Sequence, residues 1–291
     1  MTIASPSLPA GACDCHTHVI GPREIYPMVD DRHYTPGPAS LEDLRVHLEQ
    51  HDLQRVVIIQ PSVYGTDNRC LVDSLTRMHG AARGVAVLDA DANDATLLEL
   101  HGVGVRGLRM NLESSGTRDP SVAHEPLAQW ADRIASLGWH LQIFADLATI
   151  VALADRLVAM PVPIVLDHFA MVRAQMQASD DLGRALLDLV ASGRVYAKLS
   201  APYRLPASSQ AERDDTALRW ARILVEAAPD RMLWASDWPH TDREPGKAPH
   251  DVSRYRALPE DALDRSITSW LPDAASRQRV LVDNPARLYD F

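Results

Sequence analysis

Short apolar runs rich in β-branched residues alternate along this chain with amphipathic stretches of helical length. The apolar runs predict strands over 12–20, 55–61, 83–89, 105–112, 140–146, 162–169, 194–202 and 231–239. The stretches between them predict helices over 40–53, 68–80, 94–104, 126–138, 147–160, 180–193 and 212–229, with further helical segments to the C-terminus. Local punctuation agrees. Ser40 followed by Asp43 resembles a capping box, Pro126 fits a first helical turn, and Gly80 and Gly104 follow predicted helix ends. Residues 21–40 read as a long loop rich in Pro, Tyr and Asp.

Eight strand–helix units with no linker between them predict a single domain over 1–291, with 1–11 as a flexible N-terminal segment. Strands alternating with helices give a parallel sheet, and eight such units favour a closed α/β barrel, the (β/α)8 TIM barrel. No GxGxxG or phosphate loop follows a predicted strand, which weakens the open, nucleotide-binding alternative. In such a barrel the chemistry sits at the C-terminal ends of the strands. Those ends carry His16, His18, Gln60, Ser62, Tyr64, Arg109, Asn111, Asp146, Asp167, His168, Lys198, Ser200, Tyr203, Arg204, Asp237 and His240.

Composition narrows the partners. The formal charge is −10, which argues against nucleic acid or an anionic membrane surface. Three cysteines, Cys13, Cys15 and Cys70, make no disulfide framework, so a reducing compartment is expected. The N-terminus has no signal-peptide pattern and no run is long enough to span a bilayer, so a cytoplasmic enzyme acting on a small molecule is expected. A homo-oligomer is left open.

The stretch DCHTH, 14–18, holds two imidazoles two positions apart. Strict strand alternation places His16, His18 and Asp14 on one face and Cys13, Cys15 and Thr17 on the other. The histidines then face the barrel mouth, where they suit zinc or a similar divalent ion or simply hydrogen-bond, and the cysteines pack against the outer helices. SDWPH, 236–240, ends an apolar strand on Asp237, a carboxylate able to bind metal or to act as general base on water. DHF, 167–169, sets His168 at a third strand end. Arg109 and Arg204 point to an acidic substrate or to rim ion pairs. Tyr64, Asn111 and Tyr203 are polar enough to orient a substrate, and Lys198 reads as a structural ion-pair partner.

Together HxH, DH, SDWPH and the closing VDNPARLY resemble the amidohydrolase superfamily, and within it the branch of 2-pyrone-4,6-dicarboxylate hydrolase and related lactonases. The likeness covers nearly the whole chain. It implies a TIM barrel that opens a carboxylated lactone by adding water. It implies Asp237 as general base, His16, His18 and His168 polarising the carbonyl, and Arg109 and Arg204 gripping substrate acid groups. Metal use is implied at one zinc ion or none, held by His16, His18 and Asp237 with His168 as a further candidate. Strand five offers no histidine and no lysine to bridge two ions. MNLESSG after Arg109 lacks a further arginine of the dicarboxylate hydrolase, so a muconolactone-type or sugar-acid lactone is favoured. The alternatives are a lactone isomerase, a decarboxylase and a catalytically silent binding barrel.

Overall fold

A computed structural model describes residues 8–112 and 120–291. Eight strands form one sheet in chain order: β1 Cys13–Thr17, β2 Arg55–Ile59, β3 Ala82–Ala86, β4 Val105–Asn111, β5 His140–Phe144, β6 Ile164–Leu166, β7 Val195–Leu199 and β8 Met232–Trp234. All neighbouring pairs are parallel. The barrel closes just beyond β8, where Thr17 bridges Trp238 in parallel register. There His18 N–H donates to Trp238 O at 2.8 Å and Asp237 N–H donates to His16 O at 3.0 Å. The expected TIM barrel is therefore observed.

Helices α1 Leu41–Gln50, α2 Arg69–Arg77, α3 Asp94–Gly102, α4 Pro120–Ile134, α5 Leu147–Ala152, α6 Ala154–Ala159, α7 Asp181–Ala191, α8 Gln210–Ala227 and α9 Ala262–Trp270 follow the strands. Ser40 and Asp43 form the capping box, which fixes the start of α1. Two expectations change. The fourth helix begins at Pro120 and not at 126, so Pro126 lies inside it and the first-turn position, where a missing N–H costs nothing, belongs to Pro120. The helix expected over 147–160 is divided at Leu153. Of the N-terminal segment, Leu8 is buried and Gly11 N–H donates to Gln54 Oε1; 1–7 lie outside the described residues. No described helix is long and apolar enough to cross a membrane.

Apolar side chains fall into two layers. The larger packs the outer strand faces (Val56, Ile58, Leu141, Ile143, Met232 and Trp234) against helix residues such as Leu44, Leu75, Leu186 and Leu224. The smaller fills the lower barrel interior with Cys13, Cys15, Val57, Val85, Val165 and Leu233, closed from below by Tyr289 of the last helix, Asn284–Tyr289. That helix is the VDNPARLY segment. Asn284 Nδ2 donates to Pro229 O and Met232 O, both at 2.8 Å, which ties the plug to the start of β8. Above the mouth, Thr35–Pro36 of the β1 loop pairs with Val252–Ser253 of the loop after β8, joining the two longest crossings.

Candidate active site

The cysteine placement expected from alternation is corrected here. Cys13 and Cys15 face the barrel interior, not the helical shell. The reason is a bulge in β1. Asp14 pairs with Val56 and Thr17 with Ile58, so three residues of β1 span two of β2 and the side-chain alternation slips by one. Cys15 and His16 both turn inward, and His18 follows. Asp14 does not share their face. Its carboxylate accepts from Ser236 N–H at 3.0 Å, from Ser236 Oγ at 2.5 Å and from His16 N–H at 3.2 Å, with His47 Nε2 of α1 at 3.4 Å. Asp14 thus fastens the β1 bulge to the segment that carries Asp237.

The structure brings His16, His18, His168 and Asp237 together, all buried. Asp237 has φ 62°, a left-handed turn immediately after the strand that swings its side chain over the mouth. His168 begins a run of four left-handed residues, His168 to Met171, by which β6 ends abruptly. Its ring lies 4.9 Å from that of His16, and Nδ1 meets Ser200 Oγ at 2.9 Å. His18 Nδ1–H donates to Ile59 O at 2.9 Å, which leaves Nε2 as a lone pair facing His16 Nε2 at 3.2 Å. Asp237 Oδ1 stands 3.6 Å from His16 Nε2 and 3.7 Å from His18 Nε2. Its other oxygen, Oδ2, accepts from Arg204 Nε at 2.8 Å and from Tyr203 OH at 2.9 Å.

One level deeper is a charged layer. Lys198 Nζ donates to Gln142 Oε1 at 2.7 Å and lies 3.2 Å from His16 Nδ1 and 3.5 Å from Asp167 Oδ1. Asp167 Oδ2 accepts from Gln142 Nε2 at 3.1 Å and from Arg109 Nε at 3.2 Å. Burial, which alone would raise Asp167, is outweighed by Lys198, His16 and Arg109, and its pKa falls well below the carboxylate range. Asp237 is shifted the same way, with burial outweighed by Arg204 and His168. Burial, reinforced by Lys198, holds His16 neutral well below the usual histidine value, and burial takes His168 down to about 4. At pH 7 the site therefore presents two carboxylates with His16 and His168 neutral.

The predicted substrate residues divide. Arg109 and Arg204 do reach the mouth, but each is already engaged by a carboxylate. Arg109 keeps both terminal nitrogens without a bond among the described residues, its guanidinium 5.6 Å from the Phe144 ring. Arg204 also donates through Nη2 to Thr241 O and Oγ1, leaving Nη1. Tyr203 holds Asp237 and meets His240 Nδ1 at 3.3 Å. Asn111 ends β4 beside Phe144 of β5, half-buried at the rim. Tyr64 is not in the site. Its hydroxyl accepts from Gly21 N–H at 3.1 Å and its ring packs in the outer core. Asp146 is the N-cap of α5, bonded to Thr149. Gln60 bonds the 65–67 turn.

Three groups escaped the sequence reading. Gln142 was hidden in the apolar β5 run, although its inward parity with Phe144 would have marked it. Tyr34 sits on the β1 loop within the influence of Arg204, Asp237 and Arg109; burial pushes its phenol up. No spacing rule reaches it. His47, one helix turn before His51 in α1, supports Asp14 from the outside.

The donors fit a single divalent ion. Two imidazole nitrogens bound to one tetrahedral zinc at about 2.0–2.1 Å lie about 3.3 Å apart, close to the 3.2 Å separating His16 Nε2 and His18 Nε2. Asp237 Oδ1 is buried, accepts no hydrogen bond among the described residues and faces that pair.

A parallel eight-stranded barrel whose mouth gathers histidines from β1 and β6 and an aspartate from β8, donors that could hold an ion, has the architecture of a barrel hydrolase. A family model described as Amidohydrolase matches residues 13–291, and the chain belongs to that family. It is 35% identical to a 2-pyrone-4,6-dicarboxylate hydrolase of Comamonas testosteroni, covering 97% of this chain and 91% of that one. It is 31% identical to a 4-sulfomuconolactone hydrolase of Rhizobium radiobacter, with the same coverage of 97% and 91%. A solved structural-genomics target from Pseudomonas putida, 31% identical, superposes with a TM-score of 0.81 over 97% of this chain and 98% of the other.

Proposed function

We propose that this protein hydrolyses the ring ester of a lactone carrying an acid group. The observation that carries the reading is Asp237, a buried carboxylate with one oxygen fixed by Arg204 and Tyr203 and the other aimed, without a hydrogen bond among the described residues, at the His16–His18 pair. The two hydrolase relatives, named for a pyrone and a muconolactone, act in name on cyclic esters with acid substituents. Asp237 Oδ1 takes a proton from the attacking water and returns it to the alkoxide that leaves when the ring opens. Oδ2 stays bonded throughout, so the carboxylate cannot rotate away. Arg204, through Nη1, and Arg109, through its terminal nitrogens, bind the acid group of the substrate and set the ring over the histidines. His168, fixed by Ser200, faces the same space with an imidazole that stays neutral.

His16, His18 and Asp237 would hold one zinc ion, with His168 alongside. A bound ion supplies a Lewis acid for the lactone carbonyl. The test is a panel of carboxylated and sulfonated lactones with the product followed by NMR. A ring-opened diacid supports the reading. A rearranged lactone assigns the same site to isomerisation, released CO₂ assigns it to decarboxylation, and binding without turnover assigns it to a silent barrel.

A further inference from the structure

His16 belongs to two groups of metal-binding side chains. The outer is His16, His18 and Asp237; the inner is His16, Asp167 and His168. Both are buried, and in each the candidate ligand atoms lie within 4.8 Å of one another. By donor type alone either group could hold an ion.

The two groups differ in what already occupies them. Around Asp237 Oδ1 stand imidazole nitrogens, which can offer lone pairs to an ion. Around Asp167 Oδ1 stands the Lys198 amine, 3.5 Å away, and the same amine lies 3.2 Å from His16 Nδ1. His16 Nδ1 and Asp167 Oδ1 are 3.3 Å apart. An ion bound to both at about 2.0–2.2 Å would lie within about 4 Å of Nζ on whichever side it entered. Lys198 cannot withdraw. Its side chain is fully buried, it lies inside β7, one residue from its end, and Nζ is held by Gln142 Oε1 at 2.7 Å. Gln142 and Arg109 bond Asp167 through Oδ2, while Oδ1, like Asp237 Oδ1, accepts no hydrogen bond among the described residues and has the Lys198 amine as its nearest cation.

We propose that Lys198 is a tethered cation standing in the place of a second metal ion, so that the mouth accepts one divalent ion at His16, His18 and Asp237 and none at the inner group. This rests on the reading of the outer group as a zinc site, and the experiment separates the two. The full chain, stripped of metal, is titrated with zinc sulfate, and bound ions per chain are counted by native mass spectrometry. Wild type takes one. Lys198→Gln takes two, and adding His168→Ala to it returns the count to one. Lys198→Arg, which keeps the charge, stays at one. Two ions in wild type overturn the proposal. So does a folded Lys198→Gln that stays at one, or one that takes none, which would make Nζ itself a ligand. If wild type takes none and Lys198→Gln takes one, the outer group fails as a zinc site while the exclusion of an ion from the inner group by Lys198 holds; none in either overturns both. Circular dichroism establishes folding, and Lys198→Met replaces the Gln variant should it not fold.

Discussion

The barrel interior has two halves built on the same strands. In the floor, Cys13, Val57, Val85, Val165, Leu233 and Tyr289 fill space and need only volume. In the mouth, Asp167, Asp237, Lys198, Arg109 and Arg204 need partners, and each has at least one at 3.2 Å or less. The floor contributes stability through burial, while the mouth holds charges whose desolvation must be offset pair by pair. One peptide bond divides them on β1, between Cys15 and His16.

Substitutions should separate the halves. The largest effect is expected from Asp237→Asn, which removes the base and should lower kcat by about 10³-fold or more while the chain still folds, read as turnover of a lactone substrate beside thermal unfolding. Retention of near-full activity would remove Asp237 from its role. Tyr289→Ala should show the opposite signature. Emptying the floor of a fully buried aromatic should cost about 3–5 kcal/mol by urea unfolding, with kcat of the folded protein nearly unchanged. A large loss of kcat without loss of stability would break the division.

The third expectation concerns acid. His140 lies between the halves, stacked edge-on against Tyr289, and Gly107 must be glycine because a Cβ there would come within 2.3 Å of its ring. Burial lowers His140 to about 3. Its neutral form therefore supports the fold fully above the unfolded value near 6.5, and that support drains as the pH falls from 6.5 toward about 3. His140→Leu should remove one proton's worth of slope, about 1.4 kcal/mol per pH unit, from the acid side of the stability curve. His168 and His240, both lowered to about 4 chiefly by burial, leave part of the slope in place. An unchanged slope would mean that His140 is not held neutral. The smallest effect is expected from Tyr64→Phe. It loses the bond from Gly21, about 1 kcal/mol, and should leave KM and kcat within about twofold. A raised KM would return Tyr64 to the substrate site.

Much of the architecture was legible because period and punctuation act locally. The eight strands follow apolar runs, and Ser40 with Asp43 marked the start of α1. The ring of His16, His18, His168 and Asp237 was legible because each lies at or just beyond a strand end. What failed was local as well, but invisible in the letters. A bulge changes which face a residue takes without changing residue type, so Cys13 and Cys15 were assigned to the wrong layer and Asp14 to the wrong company. Tyr34 reaches the mouth through a loop whose path is set by its pairing with residues near 252, a relation no periodicity encodes. For Arg204 and Tyr203 the position was right but the first partner proved to be Asp237.

The seam that closes the barrel has a kinetic meaning. His16, His18 and Asp237 supply the backbone groups that join the first strand to the segment after the last. Such a contact, between nearly opposite ends of the sequence, bears the greatest loop-closure penalty and rewards the chain only after the intervening units are in place. The candidate site is therefore assembled by the event that completes the fold. A partly synthesised chain, or one whose final strand has peeled away, holds His16, His18 and His168 and still has no Asp237 opposite them.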